Sequence, residues 1–198
     1  MLESVPPAVL ADLEARHAEP QRHYHDWTHV AALLRHFAVV KDAVRDPAAV
    51  LHAILFHNAI YDPQRSDNEE RSAHLLAATD LPIADASKTL ALAMVRATDG
   101  HSLPSDMDEP NRADTALFLD MNLAILGADR ERFDLYEAQI RREYVHVPQE
   151  AFIAGRMRVL QSFALRERLY FSVWGRDRFE KCARSNLKRS ISRLEQLL

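Results

Sequence analysis

The chain contains one cysteine, Cys182, in 198 residues. No intrachain disulfide can form and a zinc site built on thiolates is excluded, so any metal must be held by imidazole, carboxylate or amide groups. Glycine is scarce as well, at four residues, while Ala, Leu, Arg and Glu abound. With no alternating strand pattern in view, helices joined by short turns are the expectation. No apolar run approaches the ~18–20 residues that span a bilayer. The amino-terminal MLESVPPAVLADLEARHAEP carries acids where a signal peptide would carry a basic and then an apolar segment, so a cytoplasmic protein is expected. A basic excess is also missing. The formal net charge of −4 argues against a general nucleic-acid binder, whose phosphate contacts call for the opposite sign. Basic residues do gather after Arg166, but Glu167, Glu180 and Glu195 are interleaved with them, which reads as a solvated helix face.

Hydrophobic residues at 47% and charged residues at 27% give a globular balance. A chain of this length is expected to form a single domain over 1–198, with two small domains as the alternative. Segments beginning near Pro6, Thr28, Pro47, Asp67, Ile83, Asn111, Asp129, Pro148 and Asp177 carry apolar residues at helical spacing, and most open on a capping residue or a first-turn proline. That spacing predicts an all-α protein of about nine helices. AAVLHAILFHNAI (48–60) is apolar almost all round, as in a helix surrounded by others. Its polar exceptions, His52, His57 and Asn58, must have partners, because an unpaired buried polar group costs a few kcal/mol. GHSLPSDMDEP (100–110) is the longest turn-rich stretch, a mobile loop over a site or merely a connection. Trp174, in FSVWGRD, reads as core or interface.

The chemistry concentrates in RHYHDWTHV (22–30). If the helix begins at or before Asp26, His25 and His29 share one face and can converge on one ion; alternatively they are satisfied polar groups at a helix start. HDWTH has the histidine spacing of a zinc metalloprotease helix without the glutamate that serves there as general base. DNEERSA (67–73) has the form of a capping box, with Asp67 capping and Glu70 reaching back. Arg22, Arg142 and Arg156 offer the planar fork that suits phosphate oxygens, though each alone also fits a surface ion pair.

Taken in order, the Tyr-His pair with a second histidine four on, His57-Asn58 near the end of a buried helix, and FLDMNLAILG (118–127) resemble the HD superfamily. In particular they resemble a bacterial group of predicted metal-dependent phosphohydrolases. The likeness runs over most of the chain, through AILFHNAIYDPQRSDNEERSA, ATDGH and IRREYVHVP to GRMRVLQSFALRERLY. The resemblance implies a single-domain HD-like helical bundle with a metal held by a histidine, a His-Asp doublet and a distant aspartate. By position His29 matches the first histidine and His57 the doublet histidine. Asn58 stands in place of the doublet aspartate, and Asn122 in place of the distant one, with Asp120 two residues earlier as a substitute. His25 resembles the histidine that protonates the leaving oxygen in the cyclic-nucleotide phosphodiesterase branch, and Asp62 and Glu69 join it as catalytic candidates. Arg22, Asp67, Asn68, His101, Arg142 and Arg156 are the candidates for substrate contact under the same resemblance; a loop histidine such as His101 can also be merely exposed.

The departure lies in the two acidic ligands. Two histidines and two aspartates neutralise a divalent ion, whereas two histidines and two asparagines leave its charge uncompensated. Since even supporting residues around metal ligands are worth 10–100-fold in affinity, losing both carboxylates should cost at least ~10²–10⁴-fold unless Asp120, Asp62 or Asp67 steps in. Asp120 and Asn122 cannot both face one site, because two helical positions turn a side chain by about 200°. The expected function is therefore an HD-type metal-dependent phosphohydrolase acting on a small phosphate ester or nucleotide, impaired by its asparagines. Its divalent metal (Zn, Mn, Fe, Mg or Ni) is bound weakly or not at all, and a homo-oligomer is left open. The alternatives are a catalytically silent HD-fold protein that binds a nucleotide or a partner, and a helical interaction module whose histidines are ordinary core groups.

Overall fold

Local chemistry sets most helix starts. Pro7 and Pro47 occupy first-turn positions, where a missing N–H costs nothing, and the Asp26, Asp46 and Asp129 carboxylates accept from the N–H groups of Thr28, Ala49 and Arg132. In the computed structural model, which describes residues 2–197, the helices are α1 (Pro7–His17), α2 (Trp27–Val40), α3 (Pro47–Phe56), α4 (Asn68–Ala78), α5 (Asp85–Ala97), α6 (Glu109–Asn122), α7 (Arg130–Glu143) and α8 (Gln149–Ala164). A ninth, α9, runs without a break from Val173–Gly175 through a π-helical turn, Arg176–Glu180, into Lys181–Glu195. Among the described residues there is no strand, and the fold is all-α with nine helices. No described helix is long and apolar enough to cross a membrane.

Two starts depart from expectation. Asp67 makes no capping bond: Arg65 holds its carboxylate at 2.6 and 2.7 Å, and Glu70 turns away to a two-pronged pair with Arg96 on α5 at 2.7 and 2.9 Å. Charged donors with bidentate geometry outcompete a backbone N–H for these acids, so the capping box does not form. The ninth helix opens four residues before Asp177, where the Ser172 hydroxyl accepts from Gly175 N–H. Its π turn has two tertiary causes. The Glu180 carboxylate accepts from Leu169 and Tyr170 N–H at 3.1–3.2 Å. Gly127 also lies so close to Phe179 that a Cβ there would meet Phe179 backbone atoms at 2.7 and 2.8 Å.

Contacts sort the chain into two compact units, one up to Met121 and one from Asn122 onward. In the first, α3 is the centre. Every residue from Ala49 to Phe56 is buried, as its all-round apolar sequence demands, and it packs on α2, α4 and α5. Asp114 on α6 accepts from Arg45 and Asp46 N–H, tying α6 to the entry of α3. In the second unit α9 packs on α8 and on a 3-10 turn, Leu123–Gly127. Asn186 donates to the Leu126 and Ala128 carbonyls, and the Tyr170 hydroxyl donates to that of Leu123.

Candidate functional site

The turn before α2 and the turn after α3 meet in the first unit, and one side chain holds them together. Arg22, with no exposed side-chain surface, donates to the carbonyls of His25 (3.0 Å), Asn58 (2.6 Å) and Ala59 (3.2 Å), and its Nε pairs with Glu19 at 3.1 Å. Its guanidinium lies 5.4 Å from the centroid of the Tyr61 ring. Expected as a phosphate contact, Arg22 instead spends its donors on backbone carbonyls.

That clamp fixes the histidines. The helix begins one residue after Asp26, so His25 and His29 do not share a helical face as the sequence suggested. His25 approaches from the preceding turn, its ring 5.9 Å edge-on from His29 and 4.4 Å from Tyr61. His29, buried in the first turn of α2, brings its Nε2 to 3.1 Å from Nε2 of His57, itself buried just past the end of α3. Tyr24 lies 4.8 Å from His29 and Phe118 of α6 lies 5.9 Å from His57, ring to ring.

The protons on this pair can be deduced. His57 Nδ1 is 2.9 Å from the Ile54 carbonyl, which can only accept, so Nδ1 carries the hydrogen. Burial pushes the His57 imidazole down to about 3; the Ile54 carbonyl opposes this and His17, His25 and His101 reinforce it. His57 is thus neutral at ordinary pH, with its Nε2 lone pair turned to His29. Either His29 donates an N–H into that lone pair, or both nitrogens offer lone pairs to a cation. Two imidazoles on one divalent ion at about 2.0–2.1 Å also place their nitrogens about 3 Å apart, so the separation fits both states.

Two further histidines border the cluster. His17 is buried, donates from Nδ1 to the Leu13 carbonyl and stands edge-on to Trp27 at 5.5 Å. Burial pushes it down to about 4. His101 follows Gly100 at a φ of 48°, a left-handed conformation uncommon outside glycine, and reaches near enough to His57 to lower its basicity.

The other candidates are placed as follows. Asn58 is half-buried beside His57, and Asp120 is fully buried on α6. Asn122, the last residue of α6, is half-buried. Asp62 and Asn68 close the turn into α4: Asn68 accepts from Asp62 N–H and donates to the Asp62 and Arg65 carbonyls, while the Asp62 carboxylate accepts from Gln64 N–H. Asp67 is engaged with Arg65, and Glu69 is half-buried in the first turn of α4. Arg142 and Arg156 belong to the second unit. Arg142 is exposed, and Arg156 pairs with Glu137 over the Tyr136 ring.

Among the described residues no three His, Cys, Asp or Glu side chains come together in an arrangement that holds a metal ion. His29 and His57 suit two positions of such a site, but without a third side chain in that arrangement these residues do not make a self-sufficient divalent centre. Tyr61 and His17 border this cluster and were not singled out from the sequence, whereas Tyr24 was noted only as half of the Tyr-His pair. Tyr61 and Tyr24 lie inside the quoted motifs, and the Leu13–His17 spacing of four could have marked the buried face of α1. Compared with models of protein families, with curated proteins and with solved structures, the chain finds no match.

Proposed function

We propose that this protein is an HD-type phosphohydrolase with altered metal ligands, acting on a small phosphate ester or nucleotide at His25, His29 and His57. The observation that carries the reading is the 3.1 Å approach of two imidazole nitrogens from separate helices, one with its tautomer fixed by the Ile54 carbonyl. A buried pair of neutral bases facing one another offers lone pairs to an electrophile. The two histidine roles differ. His57, held neutral, is a ligand and not an acid, whereas half-buried His25 stands beside Tyr61 where it can pass a proton to a departing oxygen.

A second reading, a catalytically silent protein that binds a nucleotide without hydrolysing it, is favoured by the lack, among the described residues, of three His, Cys, Asp or Glu side chains arranged to hold a metal ion. Turnover decides between them. With p-nitrophenyl phosphate and nucleoside monophosphates, each tested with Mn, Zn, Fe, Mg and Ni, the parent is expected to turn over slowly. An Asn58→Asp, Asn122→Asp double variant should gain at least ~10-fold, the lower bound for restoring groups that govern metal affinity. Absence of turnover in both would sink the hydrolase and leave the silent reading.

A further inference from the structure

Charge is divided unevenly along the chain. Residues 1–121 hold ten Lys or Arg against nineteen Asp or Glu, whereas residues 122–198 hold fifteen against ten. Exposed large hydrophobic residues follow the same division: apart from Val39, all of them among the described residues belong to the second unit. Apolar tips gathered on a cationic unit mark a surface built for a partner.

Both features meet on the outward face of α8. Ile153 and Leu160 are its buried residues. On the opposite side Arg158, Ser162 and Leu165, four and seven residues apart, form one exposed stripe with Val159 and Arg166 beside it. Leu165 is 86% exposed and Val159 44%. Leu165 is no frayed end, because Arg184 donates to the carbonyls of Ala164, Arg166 and Glu167 at 2.7–2.9 Å and fixes the backbone around it. From Ala151 to Arg176 the chain has five arginines and a single acid, Glu167. Arg156 turns inward to Glu137 and Arg176 to the Phe171 carbonyl. Arg166 lies over the Phe163 ring, 4.7 Å from its centroid, while exposed Arg158 and Arg168 pair with no carboxylate among the described residues.

Three kinds of partner can be weighed against this surface. A second copy seated on the same face would bring arginines against arginines. A nucleic acid would meet the arginines but find aliphatic tips where aromatic rings would stack on its bases. An anionic bilayer suits both sets, with headgroups against the guanidinium groups and the aliphatic tips in the acyl boundary. We infer that the second unit docks on an anionic lipid surface through the outward face of α8, with Val159 and Leu165 inserted and Arg158, Arg166 and Arg168 against the headgroups. The contact is peripheral and reversible, and it is independent of the phosphohydrolase reading. Since the whole chain is net negative, at −4, binding is set by this patch and not by overall charge.

The test sediments the full chain with sucrose-loaded vesicles of phosphatidylcholine mixed with phosphatidylserine, and of phosphatidylcholine alone. Binding is expected to the mixed vesicles and not to the neutral ones, and should be lost in high salt. Arg158→Gln combined with Arg168→Gln should weaken it at least ~10-fold, at about fivefold per cation near the surface. Leu165→Ser should weaken it at least ~5-fold by removing inserted apolar area. These residues are exposed, so circular dichroism and the urea midpoint should not change. No binding to the mixed vesicles, or equal binding to both kinds, overturns the inference. So does binding that Leu165→Ser leaves unaltered, which would mark a general polyanion contact. A dimer dissolved by Leu165→Ser, or arginine-dependent binding of duplex RNA by a chain that ignores the vesicles, overturns it in favour of a second copy or a nucleic acid.

Discussion

The two units treat buried polar groups in opposite ways. In the second, charges are matched: Arg156 pairs with Glu137, Glu137 also accepts from Ser190, and Arg189 and Arg193 share Asp134. In the first, beside the buried carboxylates of Asp114 and Asp120, three buried imidazoles satisfy one nitrogen locally and keep the other in the interior. His17 and His52 repeat what His57 does, donating from Nδ1 to the carbonyls of Leu13 and Ala48, and their Nε2 atoms have no hydrogen-bond partner. A paired charge is complete within the chain, whereas these imidazoles are pushed toward the neutral form by burial and keep one nitrogen in the interior.

The contrast can be broken or sharpened by measurement. The largest effect is expected in the second unit. Glu137→Ala strands the buried Arg156 charge and the Ser190 hydroxyl, and should lower the unfolding free energy in urea by about 3 kcal/mol or more. A loss under 1 kcal/mol would show that the pair is not structural.

The next effect comes from acid. His17 and His57 titrate at about 4 and about 3 when folded, against 6.5 when unfolded. The unfolded chain therefore binds more protons below pH 6.5, so their stabilisation is whole above that pH and is lost as pH falls toward 4 and then 3. Each contributes a slope of about 1.4 kcal/mol per pH unit within its window. Stability measured from pH 7 to 5.5 should fall on the acid side, and His17→Gln should flatten the slope; an unchanged slope in that variant would contradict the assignment.

The smallest effect separates site from scaffold most sharply. In His29→Gln the amide can still donate to the His57 Nε2 lone pair, so a stability cost of about 1 kcal/mol or less is expected in the same urea experiment. Turnover of p-nitrophenyl phosphate should nevertheless disappear. A cost above 3 kcal/mol would place His29 among the structural groups instead.

Much of the fold was legible because it is written locally. First-turn prolines and the aspartates at 26, 46 and 129 mark helix starts with their own side chains, and the all-round apolar run of α3 announces its central place. The early start of α9 and its π turn were not legible, since they depend on Gly127 and Glu180 meeting partners that no local pattern names. The site divides in the same way. Asp120 is fully buried on α6, while Asn122, two residues on, is half-buried. The charge of Arg22 and the ion pair it could form were visible, but its commitment to carbonyls 36 and 37 residues away was not. The Asp67 cap failed for a similar reason, with Arg65 claiming its carboxylate.

Long-range proton–nitrogen NMR of the imidazoles tests the central claim most directly. At pH 5 His57 should appear as the neutral Nδ1–H tautomer with a hydrogen-bonded Nε2, unchanged as the pH is raised to 8. A His57 ring that protonates near pH 6.5, or that carries its hydrogen on Nε2, would contradict the paired, neutral site on which the account depends.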